Sequence, residues 1–91
     1  MRIDLTKTAL NDLAAIANYY EEEQQGLGKQ FTDEISIKFE EIRIFPFSSR
    51  AGLKANTREK IMHRFPYTIV YTVINNSIKI LTIFHQRKQY P

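Results

Sequence analysis

Ninety-one residues allow one modest hydrophobic core and a single domain spanning 1–91, and the absence of cysteine excludes disulfides and thiolate metal sites. No apolar stretch is long enough to cross a bilayer and no long apolar segment follows Met1, so a soluble, cytoplasmic protein without a signal peptide is expected. The net charge of +3 is divided unevenly: residues 1–45 carry five Lys/Arg against nine Asp/Glu, a balance of −4, and residues 46–91 carry eight against Glu59 alone, a balance of +7. This asymmetry points either to an anionic partner for the C-terminal half or to a solvated face that only aids solubility.

In chain order, Arg2 to Leu5 alternates polar and apolar, which predicts a short strand with Ile3 and Leu5 facing inward. Thr6 can cap the helix that follows. Ala9/Leu10, Leu13/Ala14, Ile16/Ala17 and Tyr20 recur at three- and four-residue spacing, one apolar stripe on a helix of about 15 to 18 residues. Glu21, Glu22 and Glu23 lie at its C-terminal end, where the dipole disfavours them. Three consecutive carboxylates do not share a helix face, so a solvated end is expected and a metal site is not.

Gln24 to Gly28 breaks the period and reads as a tight turn. Leu27, Phe31, Ile35, Phe39, Ile42 and Phe45 then mark one side of a second helix, and the two helices form an αα-hairpin. Ile37 and Ile44 fall off the stripe: either the hairpin is buried on two sides, or a partner covers the extra face, or, most simply, they are surface residues. Pro46 ends the helix, and Phe47 to Thr57, with Arg50 and Lys54, reads as a loop.

Arg58 to Phe65 alternates loosely. It reads as a strand with Arg58, Lys60, Met62 and Arg64 on a basic side and Ile61, His63 and Phe65 on the other, His63 being structural. Residues 64–74 form the densest β-branched and aromatic run. It places Tyr67, Ile69, Tyr71 and Val73 on one face and Thr68, Val70, Thr72 and Ile74 on the other, as a central strand requires. Pro66 stands at its start, where a missing N–H does least harm. Asn75-Asn76-Ser77 predicts a hairpin turn, Ile78 to His85 a last strand, and Gln86 to Pro91 a polar, basic tail. The result is an α+β chain of order β-α-α-β-β-β, a helical hairpin packed on one face of a small, mostly antiparallel sheet.

In such a meander Arg58, Lys60 and Arg64 can approach His85, Arg87 and Lys88, a basic patch beside an imidazole on the sheet face away from the helices. Lys and Arg attract phosphate. Metal-free RNA cleavage needs activation of the 2′-hydroxyl, stabilisation of the phosphorane and an acid for the leaving oxygen; His85 could supply acid or base, and Arg64 and Arg87 the charge. The bland alternative is an ordinary hydrogen-bonded histidine at a strand end. Tyr19 and Tyr20 read as core or rim aromatics.

Several stretches together resemble the RelE/ParE superfamily of small bacterial toxins. They are Arg-Phe-Pro-Tyr-x-Ile-x-Tyr at 64–71 and the apolar strand ending in His85-x-Arg87. Upstream stand Leu-Thr-x-x-Ala-x-x-Asp-Leu at 5–13, Ile-x-x-Tyr-Tyr-Glu at 16–21 and Gly-Leu-Gly-x-x-Phe at 26–31. The upstream pieces match the ParE-like branch, and the likeness covers nearly the whole chain.

The resemblance implies the same fold, with the first strand pairing alongside the later ones. It also implies the toxin of a type II toxin–antitoxin, plasmid-stabilisation-like system, needing no cofactor. The partners implied are a cognate antitoxin that wraps the toxin and covers its apolar and basic surface, and DNA gyrase as the poisoned target. Phe84 to Tyr90, together with Arg58, Lys60, Arg64, Arg87 and Lys88, are then the candidate contact or phosphate-binding residues. The other branch is a ribosome-dependent mRNA endonuclease, for which Arg64, His85 and Arg87 would be catalytic. That branch typically has an Arg where this chain has Thr68, while Tyr90 stands near its C-terminal catalytic position. A non-toxic antitoxin-binding module is a third reading. The assembly implied is either a homodimer through the hairpin or a toxin–antitoxin hetero-oligomer.

Overall fold

The computed structural model describes residues 1–88. Its elements are β1 (Arg2–Leu5), α1 (Lys7–Glu23), α2 (Leu27–Ile44), β2 (Arg50–Ala51), β3 (Arg58–Ile61), β4 (Tyr67–Ile74) and β5 (Ser77–His85). The five strands form one sheet in the order β1-β5-β4-β3-β2, antiparallel except where β1 runs parallel to β5. The two helices pack on one face. No helix of the described residues is long and apolar enough to cross a membrane.

The β-branched run is the middle strand of the five, as its two-sided apolar pattern requires. Ile69 and Tyr71 are fully buried against Phe31, Ile35 and Ile42 of α2, each such side chain contributing about 1.5–3 kcal/mol through removal from water. Tyr71 is too polar at its tip to be buried alone, and its hydroxyl donates to the Pro46 carbonyl at 2.6 Å, tying the sheet centre to the end of α2. On the opposite face Thr68 and Val70 are also buried.

β5 repairs a break in its own period. Ile78 and Ile80 point into the core, and so does Ile83, three residues on, which strict alternation would forbid. The register shift between Val70 and Tyr71 pairs Val70 with Thr82 but Tyr71 with Ile80, leaving Leu81 as the extra residue of a β-bulge.

The hairpin turn is closed by close approach. Gly26 adopts φ 86°, and a Cβ on Gly28 would lie 2.6 Å from the Ala17 carbonyl oxygen, so the helices could not meet there with any other residue. Glu21 does more than end a solvated helix. Its carboxylate accepts from Gly26 N at 3.0 Å and Gly28 N at 3.0 Å, capping α2 from the end of α1. Thr6 caps α1 as expected: its Oγ1 accepts from Ala9 N at 3.0 Å and donates to Leu81 O at 2.8 Å.

Four expectations change. Residues 50–51 of the expected loop pair with β3 as a two-residue edge strand. β3 stops at Ile61, because Met62 and Phe65, three apart, both turn into the core, a spacing that regular alternation without a bulge cannot satisfy. His63 is exposed. Leu10, Ala14 and Phe45 stand outside the helical stripes they were assigned to, exposed like Ile37 and Ile44.

Candidate functional site

The basic residues of β3 do not lie on the face expected of them. Arg58 stands opposite Tyr71 and Lys60 opposite Ile69, so both side chains share the helix-covered face. Lys60 Nζ sits 2.9 Å from Glu41 Oε1 of α2, and this hydrogen bond holds the Glu41 carboxyl below the usual carboxylate range. The Arg58 guanidinium donates to the carbonyls of Phe47 at 3.0 Å and Ser49 at 2.9 Å, and lies 5.1 Å from the centre of the Phe47 ring. Arg64, in the turn before β4, donates to Gln30 Oε1 near the start of α2 and lies over Phe65.

The three cations are thus spread along α2 and the segment that follows it. Gln30 and Glu41 alone are about 16 Å apart at 1.5 Å per residue. No hydrogen bond, ion pair or ring contact joins Arg58, Lys60 or Arg64 to His85, Arg87 or Lys88 among the described residues. Arg58 and Lys60 are therefore drawn away from the expected patch, while Arg64 stays in the turn that Gln86 ties to the end of β5. The opposite sheet face carries Glu59, Ile61, Thr68, Thr82 and Phe84 at its centre, and Glu59 is buried under Arg50, whose Nη2 lies 2.7 Å away.

His85, Arg87 and Lys88 do come together, in the turn that ends β5. His85 is opposite Tyr67, the rings meeting edge to face at 5.3 Å between centres. Arg87 N donates to His85 Nδ1 at 3.0 Å, so the neutral imidazole keeps its proton on Nε2. Lys88 N donates to His85 O at 2.9 Å. Gln86, which looked like mere tail, fixes this turn: its backbone N donates to Pro66 O at 2.8 Å and its Nε2 to the carbonyls of Met62 and Tyr67, each at 3.0 Å. Arg87 and Lys88 are left exposed. Tyr90 lies outside the described residues.

A groove of about 560 Å³ opens between this turn and α1, with Asp12, Ile16, Phe84, His85 and Lys88 among its walls. Tyr67 forms part of its lining. Burial, and then the hydrogen bond with Tyr20, push its phenol up to about 12, so it stays a neutral hydroxyl at physiological pH. Asp12 stood in the 5–13 motif without a role of its own. Its Oδ2 accepts from Thr82 Oγ1 at 2.6 Å and Ile83 N at 3.0 Å, filling the edge of β5 that the four-residue β1 is too short to cover. The groove therefore has an apolar floor, a satisfied carboxylate and a cationic rim. Such a surface suits a peptide segment.

Comparisons with known proteins agree with this geometry. Residues 3–90 match the family model described as ParE toxin of type II toxin-antitoxin system, parDE. A Sinorhizobium fredii protein named "Putative toxin Y4kP" is 31% identical over 90 residues, spanning 99% of this chain and 93% of its own. Among solved structures, the chromosomal ParDE toxin–antitoxin system from P. aeruginosa superposes with a TM-score of 0.78 at 21% identity, over 93% of this chain and 95% of that one. The intact E. coli RelBE toxin–antitoxin complex gives 0.70 at 14% identity, over 97% and 98%. At these identities the two structures share the fold.

Proposed function

This chain belongs to the ParE toxin family of type II toxin–antitoxin systems, and from that premise we propose that it arrests growth by binding a protein target in the cytoplasm, DNA gyrase, and that a cognate antitoxin neutralises it. The observation that carries the mechanism is the commitment of Arg58, Lys60 and Arg64 to partners within the chain. Lys60 is committed to Glu41, Arg64 to Gln30 and Arg58 to two backbone carbonyls. A metal-free nuclease has to gather such charges around the developing phosphorane. Action by contact requires only a surface.

The antitoxin partner is supported by the structural likeness to the P. aeruginosa ParDE system and the E. coli RelBE complex. The groove beside α1 suits an amphipathic segment whose apolar side meets Ile16 and Phe84 and whose carboxylates meet Lys88. A second reading, the ribosome-dependent mRNA endonuclease, draws on one observation: His85, Arg87 and Lys88 are clustered in a single fixed turn.

One experiment separates them. After brief induction in a bacterial host, messenger RNA ends are mapped and gyrase–DNA cleavage complexes are trapped and counted. Growth arrest with intact messages and accumulated cleavage complexes is expected. Fresh cuts inside translated frames, lost in Arg87→Ala, would replace the gyrase reading with the nuclease.

A further inference from the structure

At the opposite end of the sheet from the His85 turn, a pocket of about 520 Å³ opens between the segment after α2, the loop before β3 and the end of β4. Phe47, Asn56, Arg58, Thr72, Val73 and Ile74 are among its walls. We infer that this pocket docks an acidic peptide segment of a partner protein, one large apolar side chain entering between Phe47 and Ile74 while a carboxylate meets Arg58.

The walls are fixed before any partner arrives. Thr72 Oγ1 donates to Asn56 O at 2.7 Å, holding the loop against β4. Gly52 N donates to Thr57 O at 2.8 Å and closes the loop on itself. On the other side, the bond from Tyr71 to Pro46 O anchors the chain one residue before Phe47. A preformed concave site loses little freedom on binding.

The lining says what would bind. Phe47 is 61% exposed and Ile74 55%, two large apolar side chains left in water in the pocket lining. Arg58 is half-buried, and its charge is met only by two carbonyls and an aromatic ring. It forms no ion pair among the described residues, whereas the flanking cations do: Arg50 with Glu59 and Lys60 with Glu41. No carboxylate is among the described residues that line the pocket. A partly desolvated guanidinium lacking a counter-ion favours an incoming carboxylate. A nucleic-acid strand would instead need a track of cations for successive phosphates, and this pocket has one cation between apolar walls.

The test uses the full chain, isotopically labelled, titrated with the acetylated hexapeptide Asp-Glu-Phe-Leu-Asp-Glu, its Asn/Gln counterpart and an RNA hexamer. Amide shifts confined to residues 47–58 and 72–74 are expected, with at least tenfold weaker binding of the amide counterpart. Ile74→Glu, at an exposed strand end where folding is spared, places a carboxylate at the mouth and should abolish these shifts. Peptide shifts that instead appear at residues 85–88, equal binding of the uncharged peptide, undiminished binding by Ile74→Glu, or stronger shifts from the RNA would each overturn the inference.

Discussion

Asp12 Oδ2 lies 2.6 Å from Thr82 Oγ1 and 3.0 Å from Ile83 N, so a helix side chain stands in for a missing strand. β1 pairs only as far as Ile80, and beyond it the edge of β5 would be open without this carboxylate. Asp12→Ala should cost about 2 kcal/mol, the range for charge-assisted hydrogen bonds whose buried partners lose them. Urea unfolding measures the loss, and faster amide exchange at Ile83 locates it.

Tyr71→Phe removes one oxygen from the core and strands the Pro46 carbonyl. A destabilisation of about 1–2 kcal/mol is expected in denaturant melts, without change of fold. Unchanged stability would mean that water satisfies Pro46 equally well.

Gly28→Ala inserts a methyl group where only 2.6 Å separates the new carbon from the Ala17 carbonyl oxygen. Backbone cannot retreat as a flexible side chain does, so the hairpin must spread. A loss of about 2–3 kcal/mol is expected, the upper range for overpacking. Gly26 N and Gly28 N should also lose the protection that Glu21 gives them, readable by hydrogen exchange.

The Lys60–Glu41 pair gives a pH dependence of known sign. The folded Glu41 carboxyl is held below its ordinary value, first by the hydrogen bond from Lys60. Its contribution is therefore present above the unfolded value and lost as pH falls through the folded one. Wild type should exceed Lys60→Met in stability at pH 7, and the gap should close in acid. Because Glu41 is partly exposed the gap is small.

Tyr67 titrates in the opposite sense. With its phenol pushed up to about 12 from 10.0, its contribution is complete below pH 10 and is lost as pH rises toward 12. Absorbance near the phenolate band should show a late-titrating component that Tyr67→Phe removes. Tyr67→Phe should also flatten the alkaline fall in stability.

Local pattern made the central strand, the hairpin and the Thr6 cap legible. Residues 67–74 are β-branched enough to exclude other readings, and the stripe from Ala9 to Tyr20 admits one helix face. Where a side chain's role depended on a distant partner, sequence was silent. Alternation separated Arg58 and Lys60 from Glu59 and Ile61, yet which pair faced the helices was decided by register against Tyr71 and Ile69. Asp12 and Gln86 serve strand edges and loop carbonyls that no local spacing announces. The approach of His85 to Arg87, only two residues apart, was readable; the withdrawal of Arg64 to Gln30 was not.

The parallel pairing of β1 with β5 joins residue 2 to residue 77, and Thr6 to Leu81 across 75 positions. Neither the first strand nor the central one has its full set of neighbours until β5 exists. On a ribosome, the sheet cannot close while residues 77–85 are still inside the exit tunnel, and a contact of such long range closes late. The chain is thus without its finished surface until β5 has cleared the tunnel. A partner that binds the folded form can act on it only from that point.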